Sequence, residues 1–121
     1  MSTVKRTIIG TRSAGSPLSP AVRYGDLLFV SGQTAADAVG LEAQAHAVLK
    51  KIRDLLRAGG GDLGDVLRCG VHLSDIRLRD RMNAVYAEYF KVEPPARTTI
   101  ECKMADAAVL VEIDCVAAIP S

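Results

Sequence analysis

The chain has almost no excess charge of either sign. Fifteen Lys and Arg stand against 14 Asp and Glu, a net +1. That balance denies it the basic field with which proteins hold nucleic acid or an anionic membrane. No apolar run approaches the roughly 18 residues needed to cross a bilayer, and the opening "MSTVKRTIIG" has no apolar core of a secretory signal. Cysteine is scarce. Cys69, Cys102 and Cys115 form neither a C-x-x-C pair nor an even framework, which predicts reduced thiols and a cytoplasmic location. Two histidines, His46 and His72, lack a partner at metal-ligand spacing, so no metal is expected. Aromatics make up 4% of the chain, and Tyr86 and Tyr89 read as helix packing rather than a base-stacking platform.

What remains is an ordinary soluble composition, 49% hydrophobic and 24% charged. The 121 residues are expected to form one domain over 1–121. "TIIG" reads as a first strand, and "GTRSAGSPLSP" as a loop that Pro17 and Pro20 keep irregular. "AVRYGDLLFVSGQT" reads as a hairpin turning at Gly25-Asp26. From Leu41, the spacing of Ala45, Val48, Leu49, Ile52, Leu55 and Leu56 predicts a helix stopped by Gly59-Gly60-Gly61. Those glycines lack the Lys-Ser/Thr of a phosphate loop. "DVLRCGVHLSD" alternates as a strand, with Leu67, Cys69, Val71 and Leu73 apolar. A second helix is expected from about Leu78 to Phe90, capped by Ser74 or Asp75 and ended by Pro94-Pro95. "ARTTIEC" and "AAVLVEIDCVAAI" complete the order β-ββ-α-β-α-ββ. The fold class is therefore α+β, an antiparallel-rich mixed sheet with both helices on one face.

Strand alternation then sorts side chains between the two faces. Val111, Ile113, Cys115 and Ala117 are assigned to the helix side, as are Thr98, Ile100 and Cys102. The helix-free face collects Arg97, Thr99, Ser31, Glu112 and Asp114 with Leu27, Phe29, Leu110 and Val116. His72 shares that face, while His46 is expected in solvent. Such a mixed face is too apolar to leave wet, so a second copy of the chain is expected to cover it. If the last two strands pair as a hairpin, Arg97 falls near Asp114 and Thr99 near Glu112; one bulge would bring Arg97 beside Glu112 instead. A guanidinium so held keeps donors for a ligand's carboxylate, or simply braces a subunit contact.

"VSGQT", "GDLGDVLRCGVHLSD", "MNAVYAEYF", "PPART" and "VEIDCVA" follow one another in register from Gly15 to Ala118, and together they resemble the RidA/YjgF family of enamine/imine deaminases. The resemblance implies a chorismate-mutase-like fold and a homotrimer with ligand clefts between subunits. It implies that Arg97 grips a substrate carboxylate and Glu112 positions the attacking water. Ser31, Asn83 and Thr99 would line the cleft, Thr99 replacing a cysteine common in the family. Leu18 stands where a tyrosine is common, which removes a hydroxyl and puts 2-aminoacrylate in question as substrate.

The implied chemistry is hydrolysis of an amino-acid-derived enamine or imine to a 2-oxo acid and ammonia, with no cofactor. Orientation and one general acid/base carboxylate suffice for it. The other reading is a non-catalytic trimer that binds small carboxylates. Some family members have been linked to RNA cleavage, for which the near-neutral charge offers no support.

Overall fold

The computed structural model describes residues 5–120. Six strands and two helices follow the expected order. They are β1 (Thr7–Ile9), β2 (Ala21–Tyr24), β3 (Leu27–Gln33), α1 (Leu41–Ala58), β4 (Val66–Leu73), α2 (Arg79–Tyr89), β5 (Ala96–Glu101) and β6 (Val111–Ala118). The strands form one sheet in the order β1-β2-β3-β6-β4-β5. All neighbours are antiparallel except β4 and β5.

Each helix owes its place to an apolar stripe. In α1 that stripe, Leu41, Ala45, Val48, Leu49, Ile52 and Leu56, is buried against the sheet. Gly60 then takes a left-handed φ of 96°, which a residue with a Cβ adopts only under strain. In α2 the buried set is Met82, Val85 and Tyr86. Its start is displaced by a 3-10 turn, Ile76–Leu78, whose amide at Arg77 is accepted by the Asp75 carboxylate. From the sheet, Leu28, Val30, Val71, Leu73, Val111, Ile113, Cys115 and Ala117 fill the same core.

Among the described residues, one polar side chain lies inside this core. Gln44 is 2% exposed, and its amide donates to the carbonyls of Ala38 and Ala108 at 3.1 and 2.9 Å. Its oxygen accepts from the Leu110 amide at 2.8 Å. A satisfied buried amide avoids the desolvation cost of an orphan, and here it fastens the chain leading into β6 against α1.

Two expectations fail. The last two strands do not form a hairpin, because β6 runs between β3 and β4, and β4 separates it from β5. The helix α2 is a crossover connecting parallel neighbours, the geometry that a βαβ segment favours. The facing of β5 is also reversed. Arg97 pairs across β4 with Cys69 and Thr99 with Val71, both buried on the helix side. Thr98 and Ile100 therefore face away from the helices, and Ile100 is 46% exposed. With so few apolar residues on this edge strand, composition specifies its facing weakly.

Smaller departures have equally local causes. Leu67 sits on a bulge between Val66 and Arg68 and is exposed, so Val66 takes the core position. Cys102 lies beyond the end of β5 and is half-buried, and Leu110 packs partly against the core. His46 is not left to solvent; its Nδ1 is 2.8 Å from the Tyr89 hydroxyl, linking the two helices.

No helix among the described residues is long and apolar enough to cross a membrane. Ile113 lies at the centre of the sheet with no exposed surface. Replacing it with Ala is expected to lower unfolding free energy by about 2–5 kcal/mol, read as a fall in the urea midpoint at unchanged slope.

Candidate functional site

The expected site residues fall into two groups on opposite faces of the sheet. On the helix side, at the outer edge, Arg97 of β5 lies under α2. Its guanidinium carbon stands 4.8 Å from the centre of the Tyr86 ring. Such a cation–π contact contributes about 0.5–2 kcal/mol and leaves the in-plane N–H donors free. Among the described residues Arg97 has no carboxylate within ion-pair distance. It lines a cavity of about 330 Å³ with Asn83, Tyr86, Ala87, Phe90, Pro94 and Pro95.

Two of the lining residues also carry a polar atom that is buried beneath the wall. The Asn83 Oδ1 and the Tyr86 hydroxyl are buried without a hydrogen bond among the described residues. Leaving a buried polar group unpaired costs about 1–3 kcal/mol. Burial, then the adjacent Cys69 thiol, pushes the Tyr86 phenol well above its ordinary range, so it stays protonated. An unpaired cation in that cavity suits a small ligand with a carboxylate.

On the helix-free face, β3 bulges between Val30 and Gln33. The bulge carries Ser31, whose hydroxyl donates to the Ser19 carbonyl at 2.6 Å. Ser31 and the half-exposed Leu18 share a second cavity of about 520 Å³. Beside Ser31, the Glu112 carboxylate lies across Gly32; a Cβ there would meet Glu112 Oε2 at 2.7 Å. Gly70 makes comparable room for Asp114, whose oxygens lie 2.9 Å from where its Cβ would stand. His72 completes this patch, its Nδ1 3.2 Å from the Glu112 carbonyl and 3.8 Å from Asp114 Oδ2.

Arg97 is therefore beside neither Asp114 nor Glu112. It aligns with Cys69 and Cys115, whereas Glu112 aligns with His72 and Ile100. Asn83 belongs with Arg97, and Ser31 and Leu18 with the Glu112 face. Thr99 follows Arg97 to the helix side and is half-buried there. Sequence reasoning missed the Tyr86 ring beneath Arg97. The β4-α2-β5 order held the signal, since adjacent parallel strands would have aligned Arg97 with buried Cys69.

Residues 10–119 match the family described as endoribonuclease L-PSP. The chain belongs to that family, the YjgF/RidA group. It is 39% identical to a RutC family protein of Saccharolobus solfataricus, over 93% of this chain and 97% of that protein. It is 29% identical to the chloroplastic Reactive Intermediate Deaminase A of Arabidopsis thaliana, over 96% of this chain and 67% of that one. Among solved structures, a Rid family protein of unknown function from Yersinia pestis superposes with a TM-score of 0.87 at 29% identity, over 95% of this chain and all of that one. A YjgF-type family member from Mycobacterium tuberculosis gives 0.86 at 30%, again over 95% and 100%.

The three thiols differ in their surroundings. Burial, then the nearby Cys69 and Asp114, pushes Cys115 up to about 12, and burial likewise raises Cys69. Both stay protonated at pH 8, and only the thiolate is nucleophilic. Iodoacetamide at pH 8 is expected to alkylate Cys102 first, with Cys69 and Cys115 reacting only after denaturation. Peptide mass mapping before and after guanidinium treatment checks this.

Proposed function

We propose that this protein hydrolyses enamine or imine intermediates derived from amino acids, releasing a 2-oxo acid and ammonia. The observation that carries the reading is the unpaired Arg97 guanidinium, held over the Tyr86 ring in a cavity that Asn83 also lines. Membership in the YjgF/RidA group, with its reactive intermediate deaminase relative, supports the same chemistry.

Arg97 binds the substrate carboxylate through two charge-assisted hydrogen bonds, contributing roughly 1.5–3 kcal/mol each. An enamine first becomes the imine by moving a proton to carbon. Glu112 orients a water and accepts its proton as the oxygen attacks the imine carbon. Glu112 returns that proton to the nitrogen, giving the neutral carbinolamine; it then moves the hydroxyl proton to the amine, the C–N bond breaks, and ammonia leaves as the carbonyl forms. Water is the only co-reactant. The substrate already hydrolyses without help, so positioning and one carboxylate base suffice.

One chain cannot hold both ends of so small a molecule, because Arg97 and Glu112 lie on opposite faces. The working site is thus completed between copies, Arg97 with Asn83 and Thr99 from one and Glu112 with Ser31 and Leu18 from the next. A homotrimer closes such head-to-tail contacts into a ring. Exposed Phe29, Leu27, Leu67 and Ile100 give the helix-free face an apolar surface for burial in that assembly.

Glu112→Gln is expected to abolish ammonia release from enzymatically generated 2-aminocrotonate while 2-oxobutyrate still binds by calorimetry. Arg97→Ala loses both. Unfolding the two inactive variants together and refolding them at equal amounts should restore about a quarter of wild-type activity, because ring sites then pair an intact arginine with an intact carboxylate. No recovery would refute a site shared between copies. Full activity of Glu112→Gln would refute the mechanism and favour a small-carboxylate-binding protein.

Gly32→Ala probes the same carboxylate from below. Its methyl is expected to displace Glu112 and lower kcat by about 10- to 100-fold, with the thermal midpoint little changed.

A further inference from the structure

The cavity shared by Leu18 and Ser31 holds two arginines as well. Arg6 and Arg12 line it, together with Ile8, Val22 and Ser19. Ile8 and Val22 are cross-strand partners on β1 and β2, in the row that continues to exposed Phe29. The cavity therefore opens on the helix-free face, the one that carries Glu112. Among the described residues, no carboxylate lines it. Arg12 donates one hydrogen bond, to the Ser16 carbonyl, and Arg6 has no ion-pair partner among the described residues. Two guanidiniums in one cleft repel each other until an anion lies between them.

We propose that this cavity receives the side chain of the substrate, and that the side chain bears a second carboxylate. The substrate class is then the imines of acidic amino acids, 2-imino dicarboxylates. This rests on the deaminase reading above. The Ser31 side chain borders the cavity, and Glu112 crosses the adjacent Gly32. The reacting carbon thus lies at the cavity mouth while its substituent points inward. Leu18 supplies an apolar wall for the methylenes, where a hydroxyl would compete for the anion. The planar forks of Arg6 and Arg12 bind the distal carboxylate, a geometry that a lysine ammonium does not reproduce. The same charges exclude imines with cationic side chains.

The test compares imines generated in place by amino-acid oxidases from glutamate and from norvaline, whose side chain has similar length but no charge. The wild-type protein is expected to favour the glutamate-derived imine about tenfold or more in kcat/KM, the size of one charge-assisted contact. In the double variant Arg6→Gln/Arg12→Gln that ratio should fall toward one. An equal preference in the wild type, or a ratio unmoved by the double substitution, overturns the diacid subsite while leaving the deaminase standing. If no imine is accelerated, the deaminase reading fails, and calorimetric titration with 2-oxoglutarate and 2-oxovalerate decides the subsite alone. Tighter binding of the diacid, lost in the double variant, supports it; equal binding of the two overturns it.

Discussion

The position of β4 between β5 and β6 governs most of what this chain can do. Strand pleating sends alternate side chains to opposite faces, and pairing across β4 fixes the phase of both neighbours. Cys69 locks Arg97 and Cys115 onto the helix side, while His72 locks Glu112 onto the other. No rotamer change carries a side chain through a paired sheet. The cation and the acid of the proposed mechanism are thereby divided within the chain, and the proposed activity becomes a property of an assembly.

Each half of the proposed site is shaped by its surroundings. On the helix side, Arg97 is positioned without being neutralised, because an aromatic face attracts a cation and still leaves its N–H groups free. On the other face, missing side chains do the shaping. Gly32 and Gly70 leave room for Glu112 and Asp114, and the β3 bulge turns Ser31 toward the arginine-lined cavity. The glutamine inside the core has a comparable part, since Gln44 fastens the approach to β6 and hence the strand that carries both carboxylates.

The fold was legible because its signals are redundant. A heptad-like stripe over Leu41–Leu56, a run of glycines, a Gly-Asp hairpin and two prolines each marked an element independently, and all agreed. The family motifs were also legible, being local strings. The face of β6 could be read as well, since Val111, Ile113 and Cys115 alternate with Glu112 and Asp114. In β5 the contrast between Arg97-Thr99-Glu101 and Thr98-Ile100-Cys102 was too slight to fix a face, and the assignment made from it was reversed.

By itself, the sequence determined the elements, their order, the core stripe and the identity of the chemistry-bearing side chains, because those depend on periodicities within short windows. Only the tertiary structure decided which side of the sheet each group faces, which aromatic ring supports Arg97, and that Arg6 and Arg12 share a cavity with Ser31. Such relations depend on which strands lie side by side, and pairing partners separated by dozens of residues leave no mark in any single stretch of chain.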